Sequence, residues 1–254
     1  TAIIDPGARL GSDVSVGPFT IIGPRVTLGN GCRIGPHVLI EGDTELGPGN
    51  SVGAFSSLGV RPQDLKYDGG QTRLLIGANN RIREYVNISV GSNGGNNVTV
   101  IGDNNFLMSY VHIAHDCVVG NSTIFANAVT LAGHVEVGDY AVMGGLSAVH
   151  QFTRIGAHVM LGGLSAVKQD VPPYVLAAGG YFCNPVGINS KGLSRRGFSN
   201  GTISSIKKAF RIVYQQKLTV ENAVASIEAE LIPSCPELIV FTEFLKGIKR
   251  GLAR

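Results

Sequence analysis

One spacing constrains this chain more than any other feature: a large apolar side chain returns every sixth residue. The series runs Leu10, Val16, Ile22, Leu28, Ile34, Ile40, Leu46, Val52 and Leu58, resumes at Ile76, Ile82 and Ile88, and resumes again from Ile101 in unbroken steps to Val167. Glycine follows in eight of the first nine cases, with Glu41 the exception. Neither helical nor simple strand periodicity produces such a series. It fits a triangular coil. One side chain per hexad points inward, and the small residue after it takes a corner, where a bulky side chain clashes or where φ is unusual. Three hexads close a coil of three short strands, and coils stack through parallel hydrogen bonds about 4.8 Å apart. The 24 hexads predict eight coils and a prism roughly 40 Å long.

Composition agrees. Glycine accounts for 35 of 254 residues, tryptophan is absent, and charged residues make up 15%, against about 25% in an average domain. A helical bundle, a coiled coil and a disordered chain are excluded. Two polar, glycine-rich stretches interrupt the repeat at 60–74 (VRPQDLKYDGGQTRL) and 90–98 (VGSNGGNNV), and are predicted to loop out. After Val167, QDVPPYV is predicted to turn the chain, and 179–189 reads as irregular. From Ser199 the pattern turns helical, with Ile203, Ile206, Phe210, Ile212 and Val213 on one face. Thr219 caps a second helix to about residue 231, and Pro236 starts a third, to about residue 249. The expected organisation is a prism over 1–190 and a helical unit over 191–254.

The net charge of +3 divides into −3 over residues 1–190 and +6 over 191–254. A basic tail suits an acidic partner or a phosphate, but is too scattered to propose nucleic acid. Cys32, Cys117, Cys183 and Cys235 share no zinc or disulfide spacing, which implies a reducing, cytoplasmic compartment. No apolar run reaches the roughly 18 residues of a membrane span, and no secretory signal opens the chain. A start at Thr1 rather than Met suggests that a few leading residues are missing.

Five of the six histidines lie between residues 112 and 158. The hexads of Ile113, Leu131 and Val149 are 18 residues apart and stack on one face; they carry His115, His134 and His150, with His112 at the adjoining corner. An outer wall without a function has no use for stacked imidazoles. They can bind zinc, or one can act as a general base with the others as substrate donors. The local sequence favours the base. Asp116 follows His115 in HIAHDCVVG and can fix its tautomer. Gly133, in LAGHV, lets a backbone N–H approach a ligand as an oxyanion donor. Gln63, Asp64 and Lys66 of QDLKY can hydrogen-bond sugar hydroxyls, although alone they read as a solvated loop. Arg195 and Arg196, before a helix, can clamp a diphosphate, although alone they read as a basic linker.

DLKY, RIRE, HIAHDC, LAGHV, AVHQF, GAHV, QDVPPYV and RRGFS occur in that order ahead of the helical tail. Together they resemble the UDP-N-acetylglucosamine O-acyltransferases of lipid A biosynthesis, within the hexapeptide-repeat acyltransferases, over essentially the whole chain. The resemblance implies a left-handed parallel β-helix with a small C-terminal α-helical domain. It also implies a cytoplasmic homotrimer that moves an (R)-3-hydroxyacyl group from acyl carrier protein to the glucosamine 3-position of UDP-N-acetylglucosamine. The donor is carried on phosphopantetheine; no bound cofactor or metal is implied. By the same resemblance His115 is the base, Asp116 its orienter and Gly133 the oxyanion donor. Asp64 and Lys66 meet the sugar with Gln63 nearby, and His112, His134, His150 and Gln151 line the cleft. Asn189, Arg195 and Arg196 hold the nucleotide and the pantetheine or carrier. Met160 and Gly163 stand where acyl length is set, and a glycine there leaves room for a long chain.

The sequence departs from that family at three places. ISVGS stands where IHRGT is usual, so Ser89 replaces a histidine and Val90 a basic residue. Lys191 stands where an acidic nucleotide contact is common, and GGYFCNP is one residue longer than the usual turn. Three other functions fit the prism less well. A γ-class carbonic anhydrase leaves the basic motif and helical tail without purpose. A related sugar-nucleotide N-acyltransferase needs an N-terminal uridine-binding domain, whereas hexads here start by residue 10. A purely structural solenoid needs no histidines.

Overall fold

A strand only two residues long is stable when every backbone group it exposes is met by a copy of itself one coil away. The computed structural model describes residues 1–180 and 183–254 and has this form throughout its first two thirds. Three sheets make the faces of a triangular prism. The first has nine strands, from Ile3–Ile4 to Ala166–Val167; the second has eight, from Arg9–Leu10 to Arg154–Ile155. The third has ten, from Ser15–Val16 to Val175–Ala178, with Asn184–Ile188 added antiparallel at its end. The other pairings are parallel and keep the hexad register. On the first face Ile22, Ile40, Leu58, Ile88, Ile113, Leu131, Val149 and Val167 form one column. All are buried, and each contributes roughly 1.5–3 kcal/mol by leaving water.

Space rather than φ requires glycine at most of these corners. A Cβ at Gly17, Gly29 or Gly53 would lie 2.6 Å from backbone of the next coil. Positive φ falls two residues later, often on bulky residues: Phe19, His37, Phe55, Tyr85 and Tyr110. Their rings stack in one ladder with centroids 4.9–5.1 Å apart, which offsets part of the strain of a left-handed backbone. Another corner is held by a buried amide ladder. Asn50 Oδ1 accepts from Asn80 N, Asn80 Oδ1 from Asn105 N, and Asn105 Oδ1 from Thr123 N, at 2.8–2.9 Å.

The prism is longer than the eight expected coils. Ile3–Ile4 already pairs with Ile21–Ile22 ahead of Leu10. Beyond Val167, QDVPPYV does not simply turn the chain: it builds most of a further coil. Val171 bridges to Ile155, and Val175–Ala178 pairs with Met160–Leu161. The prolines are tolerated because they fall at the corner, between the bridging residue and the strand. Both interruptions leave the prism as expected and return in register. Val60, Arg73, Leu74 and Val98 themselves belong to strands, so the excursions proper are 61–72 and 90–97. The lengthened GGYFCNP turn includes residues 181 and 182, which lie outside the described residues.

The tail has four α-helices rather than three: α1 (Ser190–Arg195), α2 (Asn200–Gln215), α3 (Val220–Glu230) and α4 (Ile239–Lys246). The six-residue α1 is too short to show a period in sequence. Ser199 and Thr219 cap α2 and α3 through their hydroxyls. Pro236 begins a 3-10 turn, Pro236–Leu238, that runs into α4. Phe210 and Ala253 join the core of the prism and close its C-terminal end. Asp170, fully buried, ties the tail down: Oδ1 accepts from Arg154 N at 2.9 Å, and Oδ2 from Lys249 N at 2.8 Å and Arg250 N at 3.3 Å.

His158 lies at the joint between prism and tail. Its ring stacks on Tyr140 and Tyr174 and meets the edge of Phe198. Burial, helped by the Arg196 charge and opposed by Asp139, pushes its pKa down to about 4. Its unfolded value is about 6.5, so the fold favours the neutral ring. The stability this contributes is complete above that value and declines as pH falls toward 4. Thermal melts at pH 7.5 and 4.5 are expected to show a larger acid loss for the parent than for His158→Phe. An equal loss in both would contradict the assignment.

Candidate active site

The first face brings the expected histidines to one region and then sorts them. His112, on His112–Ile113, pairs in register with Asn87 and Thr130, and its Nδ1 lies 2.9 Å from Asn87 Oδ1. Burial pushes its pKa down, so its ring is neutral near pH 7. His115 and Asp116 occupy the corner that follows, with Asp116 at φ 58°. His115 Nδ1 lies 2.8 Å from Asp116 Oδ2. The carboxylate accepts the Nδ1 proton, which assigns the tautomer and leaves the Nε2 lone pair free.

Asp116 is 1% exposed. Its Oδ2 also accepts from Ser92 N at 3.0 Å and Ser92 Oγ at 2.7 Å, while its backbone N–H donates to Thr99 Oγ1 at 2.9 Å. Gly133 lies directly beneath the base. A Cβ there would come within 2.6 Å of His115 Cε1 and 2.8 Å of Nε2, so glycine alone lets the backbone reach the working edge of the ring. His134, at φ 62°, meets His115 edge-on at 5.2 Å and stacks on Phe152 at 4.4 Å. Its Nε2 is 3.8 Å from Asp116 Oδ2. Burial pushes the His134 pKa down and the His115 charge adds to this, against the pull of Asp116 and Asp64. A neutral His134 suits a donor or acceptor toward an uncharged hydroxyl.

Other expected residues lie further out. His150 is exposed, with Nδ1 3.2 Å from the Gln151 carbonyl and 3.4 Å from Arg250 Nη2. Gln151 is exposed beside it. Gln63, Asp64 and Lys66 form a tight turn on the first excursion, where Asp64 Oδ1 accepts from Lys66 N at 2.9 Å and Leu65 is the exposed tip. Arg61 anchors that turn, donating to the Tyr67 carbonyl at 2.8 Å. Of the basic motif, Arg195 faces an open pocket of about 400 Å³ shared with Ser190, Lys191, Ser194, Asn200 and Ile203. Asn189 and Arg196 bond within the chain, the first half-buried and the second still exposed. Asn189 caps α1 and donates to the His158 carbonyl at 3.0 Å. Arg196 lies 4.4 Å over the Tyr140 ring and donates to the Tyr140 carbonyl at 3.3 Å. Met160 is half-buried in its strand, and Gly163 lies in the exposed turn after it. Ser89 and Val90 are both buried, and Val90 packs against the Gly42 corner.

His115, Asp116 and His134 each offer a ligand atom within 4.8 Å of the others, a donor set that suits zinc. Their arrangement is that of a hydrogen-bonded hub: Oδ2 of Asp116 sits between the imidazoles and already accepts from Ser92 and His115. Sequence reasoning missed Asn87, Ser92, Gly95 and Thr99. A serine among glycines on a looped-out stretch gives no sign of the coil it folds back upon.

Stacked hexads on three faces, with an imidazole–carboxylate pair at one corner over a corner glycine, define a hexapeptide-repeat acyltransferase. The model of the bacterial transferase hexapeptide matches residues 7–42 and 98–133, and that of UDP-N-acetylglucosamine O-acyltransferase domain 2 matches residues 170–253. A curated acyl-[acyl-carrier-protein]–UDP-N-acetylglucosamine O-acyltransferase from Thermodesulfovibrio yellowstonii is 52% identical over 100% of this chain and 98% of its own. Its counterpart from Ralstonia nicotianae is 53% identical over 100% and 97%. The solved structure of LpxA from Acinetobacter baumannii superposes with a TM-score of 0.98 at 44% identity, covering 100% of this chain and 98% of that one. The UDP-N-acetylglucosamine O-acyltransferase structure from Moraxella catarrhalis gives 0.96 at 39% identity, over 100% and 98%. The chain belongs to the UDP-N-acetylglucosamine O-acyltransferase family, and its fold is the left-handed parallel β-helix.

Gly133→Ala is expected to fold and to displace the His115 ring. A crystal structure of the variant should show the His115–Asp116 hydrogen bond lengthened or broken; an unmoved ring would contradict the close approach.

Proposed function

We propose that this protein transfers an (R)-3-hydroxyacyl group from acyl carrier protein to the glucosamine 3-hydroxyl of UDP-N-acetylglucosamine, the first step of lipid A biosynthesis. The observation that carries this reading is the 2.8 Å contact between His115 Nδ1 and Asp116, with the Gly133 backbone against the opposite edge of the same ring. His115 Nε2 takes the proton of the sugar hydroxyl as its oxygen attacks the thioester carbonyl. The new C–O bond places negative charge on the carbonyl oxygen, where the Gly133 N–H donates to it. The C–S bond then breaks, and the phosphopantetheine thiolate leaves with the proton from the imidazolium. Asp116 stays ionised and stabilises that imidazolium.

Gln63, Asp64 and Lys66, with His112 and His134, are the proposed sugar contacts; His150 and Gln151 line the path beyond them. Arg195 is the proposed phosphate contact. Asn189 and Arg196 are proposed to hold the nucleotide and the pantetheine or carrier with it: Arg196 is exposed beside it, and Asn189 fixes the start of α1. Met160 and Gly163 are proposed to bound the acyl chain, and the small Gly163 leaves room for a long one. The prism over 1–190 acts as the platform, and the basic unit over 191–254 receives the acidic carrier protein. The donor arrives on the carrier's phosphopantetheine, and no resident cofactor is called upon. Four unpaired cysteines favour the cytoplasm as the place of action, and no helix among the described residues is long and apolar enough to cross a membrane.

We assign the assembly as a homotrimer. Phe19, Phe55, Tyr85, Tyr110, Leu146 and Leu164 are exposed in one row along the prism edge beside the first face. An apolar row of that length marks an interaction surface, and it borders the face that carries the histidines. The solution mass is expected at about three times the 26.6 kDa chain. Leu164→Asp, at a residue 66% exposed, is expected to lower that mass and the activity together. A fully active monomer would overturn the assembly.

The chemistry is tested by His115→Ala, assayed with UDP-N-acetylglucosamine and 3-hydroxyacyl carrier proteins with product masses read directly. General-base loss costs about 10²–10⁴-fold in kcat. A folded variant with near-parental activity would end the assignment.

A further inference from the structure

We infer that Ser92, on the second excursion, is a positioning residue for the reaction, acting through Asp116; the inference rests on the acyltransferase reading above. All side-chain hydrogen bonds of the Asp116 carboxylate converge on Oδ2: Ser92 N at 3.0 Å, Ser92 Oγ at 2.7 Å and His115 Nδ1 at 2.8 Å. Oδ1 is buried and has no partner among the described residues. The hydrogen bonds that orient the carboxylate therefore all fall on Oδ2, and Ser92 supplies two of the three. His134 stands 3.8 Å away, too far for a hydrogen bond. The orientation of His115, and with it the direction of the Nε2 lone pair, depends on a serine that touches no reacting atom.

The segment around Ser92 is built for this approach. Gly91 N donates to the Arg73 carbonyl and Gly95 N to the Ser92 carbonyl, both at 3.1 Å, which seats the segment on the prism. Gly95 lies against the dyad so closely that a Cβ there would fall 2.5 Å from both the Asp116 carboxylate and His134. The neighbouring Asn93 donates through Nδ2 to Asp68 Oδ1 on the first excursion, which also carries Asp64 and Lys66. One short stretch of backbone thus grips the orienting carboxylate on one side and the proposed sugar loop on the other.

Parent, Ser92→Ala, Ser92→Thr, Ser92→Cys, Asp116→Ala and the double variant Ser92→Ala/Asp116→Ala are compared in steady state with UDP-N-acetylglucosamine and a 3-hydroxyacyl carrier protein. Melting temperature and solution mass check the fold. Loss of a hydrogen bond to a charged group costs roughly 10–100-fold where that bond positions the base. Ser92→Ala is expected to lose that factor in kcat with KM little changed. Ser92→Cys, close in shape but a weak donor, should fall with it, and Ser92→Thr should stay near the parent. In the Asp116→Ala background, removing Ser92 should cost nothing more, because its effect passes through the missing carboxylate. A parental rate for Ser92→Ala, a loss confined to KM, or a full additional loss in the double variant would each overturn the role of Ser92. A parent that does not acylate UDP-N-acetylglucosamine would remove the reading itself and this inference with it, whereas an active parent with any of the former results sinks the inference alone.

Discussion

The stacking of each coil on the one before it is the interaction on which the rest of the molecule depends. A two-residue strand contributes few hydrogen bonds and one buried side chain, and has no stability of its own. Repetition in register removes that weakness: each inward aliphatic residue meets its counterparts above and below, and each strand finds its backbone partners one coil away. The same constraint dictates the corners. Coils can approach to sheet spacing only where no Cβ intervenes, and at Gly17, Gly29 and Gly53 a Cβ would lie 2.6 Å from the backbone of the next coil.

A scaffold this regular makes departures from it informative. The chain leaves the prism twice, at 61–72 and 90–97; the second excursion comes back to the corner that holds Asp116, and Asn93 ties it to Asp68 on the first. The corner is therefore assembled from separated stretches: hexads that carry His115, Gly133 and His134, and a strap that bonds the carboxylate and is itself tied to the first excursion. The prism supplies precise spacing, but its outer wall is too flat to exclude water from a charged group. The second excursion adds cover, with Ser92 and Gly95 against the carboxylate of Asp116.

Much of the site was legible before any coordinates. The hexads of His115, His134 and His150 are 18 residues apart, and the pairing of Ile113, Leu131 and Val149 shows that they stack on the first face, with His115 and His134 at the corner after it. Adjacency alone could not establish the contact of His115 with Asp116; it forms because Asp116 adopts a positive φ and turns back toward the ring. His150 and Arg196 were harder to place. Each meets a group distant in sequence, Arg250 and Tyr140 respectively, and a periodic pattern contains no information about such partners. The extra coil through Val171 was hidden by its prolines, and α1 by its length.

By itself, the sequence determined the triangular coil, the face on which the histidines gather, and the helical character of the tail. Those follow from short-range rules: which side chain turns inward, which position tolerates no Cβ, and which hydroxyl caps a helix. Only the tertiary structure decided which histidine holds a carboxylate, which arginine lies over the Tyr140 ring, and which loop residue bonds that carboxylate. Those depend on the return paths of the two excursions and on the docking of the tail, and so on distances between residues that no repeat relates.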